Sequence, residues 1–238
     1  MKNIGIIFRK ELKFYLTSPM AYVVTAIFLV LTGTFFAMYL AGTNYSDTSI
    51  RGFLSAGQIL ILLFAAILTM RLIAEEKKLG TWELLLTVPV RDSEIIVGKF
   101  LGSLAVLSGM LVLTFYYPIL LIVFGDPDMG PIFTSYLGLF LLGCVSLAIG
   151  LFASSLTSNQ IVAAVVAGGI LFALWFLGMA GNFAPGALGE VLSYLSLSHH
   201  FPDFMRGIVD TKAVVYYLSV TALFLYMAIR STETDRWR

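Results

Sequence analysis

Charge is what this chain has least of. Only 12% of its 238 residues are Asp, Glu, Lys or Arg, against roughly 25% in an ordinary soluble domain, and 59% are hydrophobic. A soluble domain of this length has no interior large enough to hide so much apolar surface behind so few charges. Cysteine is almost missing: Cys144 stands alone. That excludes an internal disulfide and a cysteine-rich zinc site. There is no excess of either sign, since 15 basic and 14 acidic residues leave a net charge of +1. A nucleic-acid binder needs a basic field, and this chain has none. No phosphate-binding glycine loop is present either. The one Gly-Lys pair, Gly98-Lys99, is followed by Phe100 and has no glycine loop upstream.

What the sequence does have is long apolar runs. A helix needs about 20 mostly apolar residues to cross the hydrocarbon core. Six stretches qualify, at 19–41, 53–70, 100–124, 131–153, 161–183 and 213–229, and none contains Asp, Glu, Lys, Arg or His. The runs are continuous rather than alternating, which argues against a β-barrel. The reading is an all-α integral membrane protein with six transmembrane helices, treated as one domain over 1–238. With the N-terminus inside, twelve of the fifteen Lys and Arg residues fall on the inner side, and only Arg51, Arg206 and Lys212 fall outside. This bias predicts cytoplasmic N- and C-termini.

Three segments lie outside the spans. In residues 1–18, Ile4, Ile7, Phe8, Leu12, Tyr15 and Leu16 recur at helical steps, with Arg9, Lys10 and Lys13 mainly on the other face. That pattern suits an amphipathic helix in the headgroup plane; the plainer alternative is a cytosolic extension with ordinary positive-inside charges. Residues 184–212 form a long extracytoplasmic segment with short helices expected near 189–197 and 202–209. Leu192, Leu195 and Phe201 are candidates to dip into the outer headgroup layer. His199 and His200 are neighbours, and neighbours on a helix point about 100° apart, so the pair is not read as a metal site. No metal or cofactor site is assigned to this chain.

The third segment, 71–99, holds five basic and five acidic residues in an otherwise uncharged chain. Gly80 can end one helix in a left-handed conformation. Thr81 can cap the next, with Glu83 in its first turn. Trp82, Leu84, Leu85 and Leu86 make that short helix sticky, Pro89 stops it, and Asp92 or Ser93 can cap the helix that follows. The leucines can dock into a partner's groove or rest against the bilayer and the chain's own helices. In the third span, Pro118 predicts a kink or a freed carbonyl. Gly98 and Gly102 make a close-packing face, within one chain or between two.

The run EEKKLGTWELLLTVPV resembles the Glu-x-x-x-Gly-Thr-x-Glu-x-Leu-Leu-x-x-Pro signature of ABC-2 type transporter permeases, at Glu76, Gly80, Thr81, Glu83, Leu85, Leu86 and Pro89. In that family this loop carries the coupling helix that meets the ATPase subunit. The resemblance therefore implies a cytoplasmic ATPase contact made of Glu76, Gly80, Thr81, Trp82, Glu83, Leu84, Leu85, Leu86 and Pro89. The small-polar turn after the fourth span is similar to a second family feature. It makes Ser155, Thr157, Asn159 and Gln160 a candidate second cytoplasmic contact, or a generic tight turn. The start FRKELKFYLTSPMAYVV and the tail HFPDFMRGIVDTKAVVYYLSV resemble the gliding-motility-associated permeases and those of copper-site maturation systems. The resemblance implies an inner-membrane export subunit of a bacterium that is not itself an enzyme. Its partners would be an ABC ATPase that binds ATP and Mg, a second permease copy or paralogue, an extracytoplasmic accessory protein and the lipid bilayer, with no nucleic acid. The competing class is an ion-coupled carrier or channel without an ATPase. Such carriers usually keep ionisable groups inside the bilayer, and these spans have none.

Overall fold

The computed structural model describes residues 2–42, 51–87, 90–125, 127–183 and 185–236, and every regular element among them is helical. In chain order these are α1 (Lys2–Thr17), α2 (Pro19–Gly42), α3 (Arg51–Thr69), α4 (Ala74–Lys78), α5 (Thr81–Thr87), α6 (Asp92–Thr114), α7 (Tyr116–Phe124), α8 (Met129–Ser155), α9 (Gln160–Phe183), α10 (Ala187–Leu195), α11 (Pro202–Met205) and α12 (Thr211–Arg236). Six stretches are long and apolar enough to cross a membrane, and each overlaps one of the six apolar runs.

α8 is the central post. It is the most buried of the spans and packs most extensively against α12, α3 and α9. The outermost spans, α2 and α9, leave large side chains such as Val30, Met38, Phe176 and Phe183 exposed. That is the burial expected of helices whose other faces meet lipid.

Pro19 opens α2 after a one-residue break at Ser18, where its missing N–H costs nothing. The third span is divided at Phe115 into α6 and α7. Pro118 cannot donate to Thr114, four residues back. The freed Thr114 carbonyl instead accepts a hydrogen bond from the Tyr136 hydroxyl of α8 at 2.9 Å. Kink and inward carbonyl therefore occur together, and a neighbouring helix satisfies the freed group.

α1 runs beside the first half of α6 and in the same direction. A Cβ built on Gly98 would lie 2.7 Å from Ile7, and one on Gly102 would lie 2.7 Å from Glu11. The glycine pair thus packs within the chain. The buried stripe of α1 is Ile7, Glu11 and Tyr15, so an acid sits in the middle of the expected apolar face. Ile6, Phe14 and Leu16 stay exposed.

The segment between α9 and α12 holds the two short helices, α10 and α11. Phe201 and Phe204 are buried against Gly138 of α8, and the Phe204 carbonyl accepts hydrogen bonds from Thr134 and Ser135. Phe201 is therefore a core residue and does not dip into the headgroup layer. Its aromatic neighbours give it a better apolar environment than an interface would.

Tyr136→Phe should leave the Thr114 carbonyl unpaired and cost about 1–3 kcal/mol, read as a lower melting temperature of the purified protein. Adding Pro118→Ala supplies the missing N–H and should recover part of that loss.

Candidate functional site

The charged segment builds two short helices at one end of the bundle. Gly80 has φ of 71°, the left-handed value that separates α4 from α5. α5 begins at Thr81, with Glu83 in its first turn. The Thr81 hydroxyl does not cap α5 but donates to the Glu76 carbonyl at 3.3 Å. It closes the C-terminal end of α4. The α6 cap differs from expectation as well. Arg91 precedes the helix, and its N–H donates to the Glu94 carboxylate at 3.3 Å. That arrangement leaves Asp92 as the first helical residue and not the cap.

α5 has two distinct sides. Trp82 is 4% exposed and belongs to the core, and Leu85 packs partly against it. Thr81, Glu83 and Leu84 face outward, with Leu84 68% exposed. The side chain of Leu86 and the whole of Pro89 lie outside the described residues.

α4 is anchored from another helix. The Ser154 hydroxyl accepts from the Ile73 and Ala74 N–H groups at 3.1 and 3.0 Å and donates to the Met70 carbonyl at 3.2 Å. The first N–H groups of a helix lack partners within it. Here α8 supplies the cap that no residue of the α3–α4 turn provides. Lys77 donates to the Ser155 carbonyl. Ser155 is itself buried and its hydroxyl bonds back to Phe152 at 2.7 Å. Thr157 accepts from the Asn159 N–H, and the Asn159 side chain accepts from the Ile161 N–H at 2.9 Å. Asn159 thus caps α9, and Gln160 is the first residue of that helix. The structure therefore brings the start of the charged loop against the turn after α8.

Beneath α4 lies a buried ion cluster. Lys99 is 1% exposed. Its ammonium donates to Glu11 of α1 at 2.8 Å and to the Leu72 carbonyl at 2.8 Å, and forms an ion pair with Glu76 of α4 at 2.9 Å. Two of the three ammonium protons go to these hydrogen bonds, and the second carboxylate adds opposite charge beside them. Lys10 reaches the same Glu76 oxygen at 3.3 Å. Glu76 thus faces into the protein, not outward with Glu83. Beside the cluster, Arg71 lies over the rings of Phe14 and Tyr15, with its carbon 5.0 and 4.6 Å from their centroids. Tyr15 donates to the Leu68 carbonyl at 2.7 Å, and burial pushes its phenol well above the ordinary range, so it stays a neutral donor.

At the other end of the bundle, the His200 ring pairs with the Tyr194 carbonyl at 2.9 Å and packs on Tyr216. Burial lowers its pKa below the usual histidine value. Among the described residues no three His, Cys, Asp or Glu side chains are grouped to hold a metal ion.

Residues 6–231 match the family described as ABC-2 family transporter protein. The chain is also similar to the Escherichia coli K12 protein named probable multidrug ABC transporter permease YbhS, at 29% identity over 177 residues, covering 70% of this chain and 45% of that protein. The protein of the same name in Escherichia coli O157:H7 matches to the same extent. The chain thus spans about half the length of the curated relatives it matches. Neither match separates the gliding-motility and copper-site-maturation permeases from the rest of the family.

Lys99→Met should strand Glu11 and Glu76 against each other and cost about 3–5 kcal/mol. The melting temperature and protease resistance of α1 would both fall. Adding Glu11→Leu to Lys99→Met removes one stranded charge and should restore part of both.

Proposed function

Since the chain belongs to the ABC-2 family of transporter proteins and is a multi-pass membrane protein, we propose that α5 docks a separate ATP-binding subunit whose ATP hydrolysis drives export or transmembrane conformational work. The observation that carries this reading is the two-sided build of α5. Leu84, Glu83 and Thr81 make an outward surface on a short helix, and Trp82 fixes that helix to the core. An exposed leucine beside an acid, on a rigid base, suits insertion into a groove of another protein. Glu76 and Gly80 then shape and hold the docking helix, and Ser155, Thr157, Asn159 and Gln160 shape the turn beside it.

ATP and Mg are bound by the partner, and this chain contributes no catalytic group. Two permease chains, identical or paralogous, face each other across a pathway, and each carries one ATPase. Closure of the ATPase pair pushes α5. Because α4 is held by α8 through Ser154, that push moves spans as rigid bodies instead of bending a loop. The α4–α5 end and both termini lie in the cytoplasm of a bacterium, and α1 lies along the inner face of the membrane. The exposed apolar side chains Ile6, Phe14 and Leu16 beside Lys10 and Lys13 support that placement. The segment carrying α10 and α11 lies outside, where an accessory protein can meet it.

The test is co-purification of the tagged permease with its ATPase, together with ATP turnover by the complex. Leu84→Asp and Glu83→Lys should each lower recovery of the ATPase at least about tenfold, as expected when a charge is buried unpaired or reversed at a docking surface. Membrane levels of the permease should stay the same. Full ATPase recovery by both variants would remove α5 as the docking element.

A further inference from the structure

Two cavities flank Tyr15, one charged and one apolar. The charged cavity, about 170 Å³, lies between α1, the α3–α4 turn and α6, with Arg71, Glu75, Glu76 and Lys99 in its wall. Lys99 is held by two hydrogen bonds and two carboxylates, and Lys10 is paired with Glu76. Arg71 is different. It is 8% exposed, and its guanidinium meets the Phe14 and Tyr15 rings, the Tyr15 hydroxyl and the Met20 sulfur, a weak acceptor at 3.6 Å. Among the described residues no carboxylate comes within ion-pair distance of it. The Glu75 carboxylate, one turn further on, likewise makes no hydrogen bond or ion pair with a described residue. Glu76 Oε2 is buried and has no hydrogen-bond partner. A buried guanidinium without an anion and a buried carboxylate oxygen without a donor are both costly, and the Glu75 carboxylate beside them is half-buried. One zwitterion carrying an anion and an N–H cation a few ångströms apart would satisfy all of them.

The second cavity is a groove of about 540 Å³ between α1, α2 and α6, walled by Tyr15, Leu16, Ala21, Leu29, Val106 and Met110. Its rim residues Leu16, Tyr22 and Leu113 are exposed, so it opens sideways toward lipid. Gly109 leaves room at its floor, with nothing within 4 Å of a built Cβ. The two cavities meet at Tyr15, and Arg71 reaches Met20, the neighbour of the groove residue Ala21. Arg71 also stands just beyond the last apolar turn of α3, a place in a spanning helix where a basic side chain suits lipid phosphates.

We propose that this composite site holds one aminophospholipid, phosphatidylethanolamine. Its phosphate pairs with Arg71, its ammonium donates to Glu75 and Glu76, and one acyl chain fills the groove. Phosphatidylcholine offers the same phosphate with no N–H to donate. Phosphatidylglycerol offers the phosphate with no cation. The inference rests on the membrane-spanning fold and does not depend on α5 meeting an ATPase.

The test uses the full chain, stripped of lipid in detergent and titrated separately with phosphatidylethanolamine, phosphatidylcholine, phosphatidylglycerol and the tail-less glycerophosphoethanolamine. Retention by native mass spectrometry and the shift in melting temperature are both read. Phosphatidylethanolamine should bind at least about tenfold tighter than the other three, the discrimination expected of charge-assisted hydrogen bonds. Glu75→Gln should bring phosphatidylethanolamine and phosphatidylcholine close together. Gly109→Phe should weaken all three lipids and leave the weak headgroup binding unchanged. Arg71→Gln should weaken every phosphate-bearing probe. Should Arg71→Gln fail to fold, the two milder variants still decide the matter. Equal binding of phosphatidylcholine and phosphatidylethanolamine, glycerophosphoethanolamine binding as tightly as the lipid, or an undiminished preference in Glu75→Gln would each overturn the proposal.

Discussion

A buried ammonium tolerates only one kind of surrounding, with hydrogen-bond acceptors and opposite charge close by. Lys99 has that surrounding only because three separate pieces of chain deliver it: Glu11 from α1, Glu76 from α4 and the Leu72 carbonyl from the turn before α4. Pulling any one of these away exposes a deficit of several kcal/mol. The N-terminal helix, the charged loop and the start of the third span therefore behave as one body. Gly98 and Gly102 make this geometry possible, since no larger residue would let Glu11 come so near α6.

That body is tied to the rest of the molecule at a second point. Ser154 and Ser155 at the end of α8 hold α4 by its first N–H groups and by Lys77. α8 in turn is the most buried span and holds α11 through Thr134 and Ser135 at its opposite end. A continuous chain of packed and hydrogen-bonded groups thus runs from α5 to the segment on the far side. A transporter that converts a push at one face into movement at the other needs a connection of this kind.

Much of this was legible in the sequence. The six spans follow from uninterrupted apolar runs, because hydrocarbon leaves a helix no other composition. Gly80 and Pro118 declared themselves through backbone chemistry that no other residue type shares. The ion cluster was not legible. Glu11 and Lys99 are 88 residues apart, and each has an innocent local explanation. Lys99 stands one residue before an apolar run and looks like an ordinary positive-inside charge. Glu11 lies among three basic residues and looks like part of a polar face. Glu76 matches a family signature, which says that it matters without saying that its carboxylate turns inward. Ser154 and Ser155 read as turn residues because capping a helix 80 residues away leaves no local pattern. The only available hint was Glu11 itself, an acid whose helical position falls on the apolar stripe.

The central claim is that α1 and α4 form one body, which under the proposed function moves as a unit when the ATPase acts. The direct test is the distance between spin labels at Lys13→Cys and Lys78→Cys, both exposed positions, in the assembled complex with and without ATP. Cys144 is the one native cysteine and is buried, so the labels stay confined to the two chosen sites. The account predicts one narrow distance that nucleotide leaves unchanged. A distance that shifts or splits when ATP binds would contradict it.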